Sequence, residues 1–221
     1  MFRVDEYLHK LIDSMKDIFG SRLLYVGLQG SYLRGEATEN SDIDVMVILQ
    51  NLSVQDLDSY KEIILHMEQY EKSCGFICGI EEFSRWNPLE LCHLVHSTKD
   101  YYGQLAPLLP AYSEEDIVHF VKLSLGNLYH EMCHRYLHAD ETKNYQSLPM
   151  TYKNVFFILQ NLYYLKNGVF CLTRKELMCM LDETDREIME LSLEIQAKKE
   201  YNFEQAFEKG FLWCQNTLKH F

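Results

Sequence analysis

The first hundred residues mix helical and strand patterns of hydrophobic positions. In residues 5–18 and 54–70, apolar side chains recur every three or four positions, which predicts two amphipathic helices. Three short apolar runs have the length of β-strands: residues 23–28, 43–49 and 76–80. This mixture predicts an α+β fold in which helices flank a small mixed sheet.

In the second half of the chain only the helical pattern continues. The predicted helices cover residues 113–138, 150–166, 173–181, 184–199 and 203–219. Two of them begin with capping signals, because Ser113 precedes three acidic residues and Thr173 stands three positions before Glu176. We therefore predict two domains, a mixed-sheet domain over residues 1–105 and an all-helical domain over residues 106–221.

A pair of carboxylates opens the predicted strand at 43–49. Asp42 and Asp44 are one residue apart, and alternate side chains of a strand point to the same face, so both acids lie on one side of the sheet. A divalent cation with a preference for oxygen, Mg2+ above all, relieves their mutual repulsion. Such an ion would bridge the two carboxylates to the phosphates of a nucleotide.

A glycine-serine turn precedes this pair. Gly30 permits a sharp turn and a close approach to a ligand, and the Ser31 hydroxyl and the amides after it can donate to phosphate oxygens. Arg34 lies one helical turn later and can add a charge-assisted contact. Each piece alone is a common turn, and Ser41 alone is a common cap. The specific signal is their combination with the acidic pair.

The stretch from Gly30 to Asp44 reads Gly-Ser-Tyr-Leu-Arg-Gly-Glu-Ala-Thr-Glu-Asn-Ser-Asp-Ile-Asp. It resembles the signature of the polymerase-β-like nucleotidyltransferase superfamily. Within that superfamily, the second half of the chain resembles the helical domain of aminoglycoside adenylyltransferases of the streptomycin/spectinomycin type. That second similarity is carried by Lys153-Asn154-Val155, Tyr163-Tyr164, Gly168 and Leu172-Thr173-Arg174-Lys175.

The resemblance implies roles for the residues of the signature. Asp42 and Asp44 would bind Mg2+ and take part in catalysis. The candidate nucleotide-binding residues are Gly30, Ser31, Arg34 and Ser41. The implied reaction transfers AMP from ATP to a hydroxyl of a small molecule, such as an aminoglycoside-like antibiotic, and releases pyrophosphate.

The chain departs from the family pattern at one position. The family carries a third carboxylate on a neighbouring strand, as a metal ligand or general base. The corresponding position here falls near Cys74-Gly75. Glu71 lies one turn earlier and Glu81 ends the predicted strand, and we take Glu81 as the third candidate catalytic residue. If neither serves, the protein is a slow enzyme, takes a base from its helical half, or binds nucleotide without turnover.

The net charge of −12 argues against a nucleic-acid partner, because binders of phosphate backbones need clustered Lys and Arg. It suits a cationic small acceptor and also serves solubility. The seven cysteines show no disulfide or metal framework, and the N-terminus does not resemble a signal peptide. No apolar run reaches the ~18 residues of a membrane span. We therefore expect a cytoplasmic protein without a membrane partner, and the sequence leaves its oligomeric state open.

Other hypotheses compete with small-molecule adenylylation. The run from His130 to His134 matches the His-Glu-x-x-His pattern of zinc metallopeptidases, and His138 follows one turn later. Helical periodicity places these histidines opposite the apolar stripe, as is typical of a solvated face. AMP transfer to a protein, as in nucleotidyltransferases that neutralise a toxin partner, and a non-catalytic nucleotide-binding module are further alternatives.

Overall fold

The computed structural model describes residues 2–197 and 200–221, which fold into two compact units, Met1–Tyr112 and Ser113–Phe221. Residues 106–112, which the sequence pattern assigns to the helical part, belong to the first unit. They do so because Leu108 and Leu109 pack against apolar side chains of the sheet.

The first unit is built around a four-stranded mixed sheet. Its elements are α1 (Val4–Phe19), β1 (Leu23–Leu28), α2 (Gly30–Arg34), β2 (Ile43–Leu49), α3 (Val54–Leu65), β3 (Ser73–Gly79), α4 (Ile80–Phe83), α5 (Pro88–His96) and β4 (Lys99–Tyr102). The strand order is β3-β2-β1-β4, with β2 and β3 parallel and the other two pairs antiparallel. The predicted mixed sheet with flanking helices is confirmed.

Apolar side chains cover both faces of this sheet. On one face, α1 and α3 pack against alternate residues of the strands, including Val45 and Val47. On the other face, Met46 and Ile48 form a smaller cluster with Tyr25 and Phe83. Strand alternation places Asp44 on the same face as Met46 and Ile48. The carboxylate pair therefore lies at the edge of the smaller cluster.

Several elements of the first unit differ from the prediction. The strand expected at 76–80 runs three residues longer at its start, and the helix expected at 54–70 ends at Leu65. The helices α4 and α5 and the strand β4 were not predicted. The edge strand β4 has only four residues, and its pairing with β1 is set by distant residues, such as Asp100 opposite Gly27.

All regular elements of the second unit, within its described residues, are helices. Its elements are α6 (Glu114–His138), α7 (Glu141–Asn167), α8 (Arg174–Met180), α9 (Glu183–Gln196) and α10 (Phe203–His220). Both predicted caps are confirmed as capping boxes, one between Ser113 and Asp116 and one between Thr173 and Glu176. Residues 198 and 199, the end of the helix predicted at 184–199, lie outside the described residues.

The helix α7 starts at Glu141, nine residues before the predicted start, and contains Pro149 in its interior. Proline has no N–H to donate to the carbonyl four residues earlier, which belongs to Tyr145. The Tyr201 hydroxyl donates to that carbonyl at 2.7 Å, and the rings of Tyr145 and Tyr201 stack at 4.5 Å. The Tyr201 hydroxyl thus replaces the backbone hydrogen bond that Pro149 cannot make to the Tyr145 carbonyl.

The described helices include none with the length and apolar character needed to cross a membrane.

Candidate active site

The carboxylate pair stands at the start of β2. Ile43 between the two acids is fully buried, whereas Asp42 is exposed and Asp44 is half-buried. This alternation is the one that a strand imposes on residues at its edge. The structure therefore brings Asp42 and Asp44 to one accessible side of the sheet.

The glycine turn lies directly against this pair. Gly30 begins α2 with φ of +67°, and a Cβ atom built there would overlap the carboxylate oxygen Oδ2 of Asp44. The backbone N–H of Gln29 donates to the Asp44 carbonyl at 2.9 Å and fixes the turn against β2. The turn and the acidic pair, which are at least 11 residues apart in sequence, thus converge on one site.

Cys74 occupies the neighbouring strand position. It pairs with Asp44 in the parallel register of β2 and β3, so both side chains lie on the same face. Partial desolvation raises the pKa of the Cys74 thiol; a hydrogen bond from the Gly75 backbone opposes this, whereas the charges of Asp44 and Asp42 and a hydrogen bond to Asp44 add to it. The thiol is therefore held protonated beside the two carboxylates.

Glu81 is not brought to this pair. It lies in α4, after the end of β3 where Gly79 pairs with Leu49. Five residues of strand separate Leu49 from Asp44, which is roughly 16 Å at the rise of a parallel strand. The early start of β3 is the physical reason, because it sets Cys74, and not the end of the strand, beside Asp44. Glu71 precedes β3 at the nearer end and is exposed.

The other predicted nucleotide-binding side chains differ in their availability. Ser31 is half-buried in the first turn of α2. The Oγ of Ser41 accepts from the Thr38 amide at 2.8 Å and so closes a turn before β2. Arg34 donates from Nε to Glu36 at 3.0 Å, and its side chain is only 10% exposed.

A half-buried histidine of α5, His93, interacts electrostatically with Arg34. Desolvation, followed by electrostatic repulsion from Arg34 and His96, lowers the pKa of His93 to about 4. His93 is therefore neutral at physiological pH. No local sequence signal pointed to His93, because α5 was not predicted and Arg34 lies in a distant segment of the chain.

The pair of carboxylates has the chemistry of a magnesium site. Mg2+ is usually held by one or two protein carboxylates, with phosphate oxygens and water completing its six positions. Among the described residues, no group of three His, Cys, Asp or Glu side chains is arranged to enclose a metal ion. Asp42 and Asp44 thus fit an ion that is shared with a nucleotide, and they do not form an all-protein cage.

The histidine pattern on α6 does not form a metallopeptidase site. Glu131, the residue that would activate a zinc-bound water, is held by Arg135 at 2.9 Å and by the Thr151 hydroxyl at 3.0 Å. The Thr151 contact directs it toward α7, and the three histidines around it are exposed. The solvated-face interpretation agrees with this arrangement.

Residues 8–85 match the family described as "Nucleotidyltransferase domain". This segment contains β1, the glycine turn, the carboxylate pair and β3. The chain therefore carries a nucleotidyltransferase domain, as its Gly30–Asp44 signature predicts.

Two proteins of Methanocaldococcus jannaschii, each named as a "putative protein adenylyltransferase", are similar to part of the chain. One is 43% identical over 58 residues, which are 26% of this chain and 37% of that protein. The other is 36% identical over 66 residues, which are 30% of this chain and 64% of that protein. The chain spans less than two thirds of the length of either relative.

A solved structure is similar over nearly the whole chain. It is the crystal structure of spectinomycin adenyltransferase AAD(9) from Enterococcus faecialis with ATP and spectinomycin. The TM-score is 0.61 with 15% sequence identity, covering 97% of this chain and 98% of that one. The similarity establishes a shared fold, a small mixed sheet followed by a helical part.

Proposed function

We propose that the nucleotidyltransferase domain of this chain transfers AMP from ATP to a hydroxyl of a small molecule, with Mg2+ held by Asp42 and Asp44. The observation that carries the proposal is the contact of Gly30 with the Asp44 carboxylate. It joins a backbone turn suited to phosphate with a pair of acids suited to a divalent cation. A turn or an acidic pair alone would not support it.

Two groups of residues would have separate roles in this reaction. Asp42 and Asp44 orient the cation, and the turn at Gly30 and Ser31 presents backbone and hydroxyl donors to the phosphates. Held by these two carboxylates, Mg2+ would supply charge stabilisation at the phosphates of ATP. The half-buried Asp44 is fixed by its strand, whereas the exposed Asp42 can adjust to the ligand. In this arrangement positioning and electrostatics account for most of the rate.

The site has a thiol at the position beside Asp44 where a carboxylate base would act. Because the pKa of Cys74 is raised, the thiol stays protonated at neutral pH and does not accept the acceptor's proton. We therefore expect slow transfer. The presence of a protonated thiol in place of a carboxylate also supports the alternative that the protein binds nucleotide without turnover.

Two observations bear on the acceptor. The structurally similar enzyme is described with ATP and spectinomycin, and the net charge of −12 suits a cationic acceptor. The relatives of the N-terminal part are named for adenylylation of proteins, which favours a protein hydroxyl as the second candidate. We place the small molecule first because the structural similarity includes the helical part.

The experiment measures pyrophosphate release from ATP and Mg2+ across a panel of spectinomycin, other aminoglycoside-like compounds and candidate proteins. With ATP radiolabelled at the α-phosphate, the label should appear on the acceptor, either in a small-molecule product or in a protein band. Asp42→Asn and Asp44→Asn should each lose on the order of 10³-fold in rate. Asp58→Asn, an exposed aspartate of α3, is the matched control and should keep its activity.

Different results select between the interpretations. Equal activity in wild type and both variants would overturn the assignment of the site. Binding of ATP and Mg2+ that depends on Asp42 and Asp44, without release for any acceptor, would establish the non-catalytic alternative. Label on a protein band alone would favour the protein acceptor.

A further inference from the structure

Three histidines form a ladder on α6 that the proposed reaction does not use. His130, His134 and His138 are each four residues apart, so they lie one above the other on the helix. The ring centroids of His130 and His134 are 6.0 Å apart, and those of His134 and His138 are 4.9 Å apart. All three side chains are exposed.

The surroundings leave these rings available. Across residues 2–197 and 200–221, no hydrogen bond or ion pair engages any of the three imidazoles. The nearest acid in sequence, Glu131, pairs with Arg135 of the same helix and accepts a hydrogen bond from Thr151 of α7. The ladder therefore presents its imidazole nitrogens to solvent.

Imidazole is a ligand that divalent ions of the later first transition row prefer. Two nitrogens bound side by side to one such ion, each at 2.0–2.1 Å, are about 3 Å apart. Side chains at positions i and i+4 of a helix, with Cβ atoms about 5–6 Å apart, reach this separation when their rings turn toward each other. The spacing on α6 meets this requirement twice.

We propose that the ladder is a surface site for a late transition-metal ion such as Ni2+ or Cu2+, bound by two adjacent histidines at a time. His134 belongs to both pairs, so the two sites overlap and one chain binds one ion. Because the described residues contain no group of three ligands that encloses a metal, water fills the remaining positions. The bound ion is therefore exchangeable, and its site is separate from the carboxylate pair.

The shared position of His134 gives a sharp test. Isothermal titration calorimetry of the full chain with Ni2+, carried out in excess Mg2+, measures the affinity and the number of ions bound. His134→Ala removes both pairs and should weaken binding on the order of tenfold or more, since a chelate becomes a single ligand. His130→Ala or His138→Ala leaves one pair and should change the affinity much less. The double variant His130→Ala/His138→Ala leaves His134 alone and should match His134→Ala.

His119→Ala is the matched control, because His119 is an exposed histidine of the same helix outside the ladder. It should bind Ni2+ like wild type. All variants keep the seven thiols and the carboxylate pair, so binding at those groups would be the same in every protein. Wild-type affinity in His134→Ala, or in the double variant, would overturn the proposal. The exposed positions keep folding intact, which far-ultraviolet circular dichroism verifies.

Discussion

Gly30 is packed so tightly against the Asp44 carboxylate that no side chain fits between them. This contact fixes the distance between the turn that we propose to bind phosphate and the acid that we propose to bind Mg2+, although the two residues come from different elements. Glycine can be required because its φ is positive or because a Cβ atom would clash with a neighbour. Gly30 meets both conditions, whereas Gly35, which ends the same short helix with the same φ of +67°, has no atom near the position of a Cβ.

Gly30→Ala and Gly35→Ala should therefore differ in activity more than in stability. Both place alanine in the left-handed region, at a cost of about 1–2 kcal/mol in the free energy of unfolding. Only Gly30→Ala also displaces Asp44, which should lower the rate of AMP transfer on the order of 100-fold. Urea denaturation and pyrophosphate release measure the two effects. Equal loss of activity in both variants would contradict a specific role of the contact.

The helix cap at the start of α3 predicts an acid-dependent stability. Asp56 closes a capping box with Ser53 and accepts two hydrogen bonds from Arg22, at 2.8 and 3.1 Å. The Arg22 guanidinium, followed by Ser53, holds the pKa of Asp56 well below its usual range. At neutral pH, Asp56→Asn should lower the free energy of unfolding by about 1–2 kcal/mol.

The sign of the pH dependence follows from the lowered pKa. The contribution of Asp56 is fully present above the unfolded-state pKa of about 3.9 and disappears as the pH falls through the folded-state pKa. The difference between wild type and Asp56→Asn should therefore shrink below about pH 4. Asp116→Asn is the control, because Asp116 forms the same capping box with Ser113 in α6. A constant difference from pH 7 to pH 3 would refute the ionic part of this account.

His93 predicts a loss of stability at mildly acidic pH. Its folded-state pKa of about 4, lowered mainly by burial, lies below the unfolded-state value of about 6.5. The folded state binds the proton less readily, so stability falls as the pH drops below 6.5 and levels off below 4. Between about pH 7 and pH 5 this contributes a loss of about 2 kcal/mol.

His93→Gln should reduce that pH dependence, as measured by urea denaturation at both pH values. His9→Gln, which changes an exposed histidine of the same unit, should leave it intact. If His93→Gln and wild type lose the same stability on acidification, another group is responsible.

Because Pro149 cannot donate to the Tyr145 carbonyl, we predict that substitutions of Pro149 and Tyr201 have coupled effects on the free energy of unfolding. Tyr201→Phe removes the hydroxyl that donates to Tyr145 and should cost about 1 kcal/mol. In a Pro149→Ala background, the new amide N–H donates to the same carbonyl, so the loss of the hydroxyl should cost less. Chemical denaturation of the four proteins of this cycle gives the coupling energy. The same cost in both backgrounds would show that the hydroxyl and the proline act independently.

The site was predictable where its signals are local. The alternation around Ile43 predicted both the strand and the common side of Asp42 and Asp44. The caps at Ser113 and Thr173 were likewise visible, because each is defined within four residues, whereas the equally local capping box of Ser53 and Asp56 was not predicted. The opposite charges of Arg34 and Glu36 are only two residues apart and were available as a signal for their ion pair.

The parts that were missed depend on contacts between distant segments. The strand β4 exists because β1 pairs with it, and its four residues have no strand pattern of their own. The placement of Glu81 depended on where β3 begins, which the parallel register with β2 determines. Helical periodicity likewise stopped short of Glu141, because Pro149 is normally a signal for a helix end.

The sheet topology also orders the assembly of the first unit in time. Leu28 and Val45, which pair β1 with β2, are 17 residues apart, whereas Gly27 and Asp100, which pair β1 with β4, are 73 apart. Closing the longer loop costs about 1.3 kcal/mol more in chain entropy. The nascent chain can thus pair the two strands that hold the glycine turn and the acids before β4 leaves the ribosome. The edge strand β4 then pairs with β1 after the glycine turn and the two acids have been brought together.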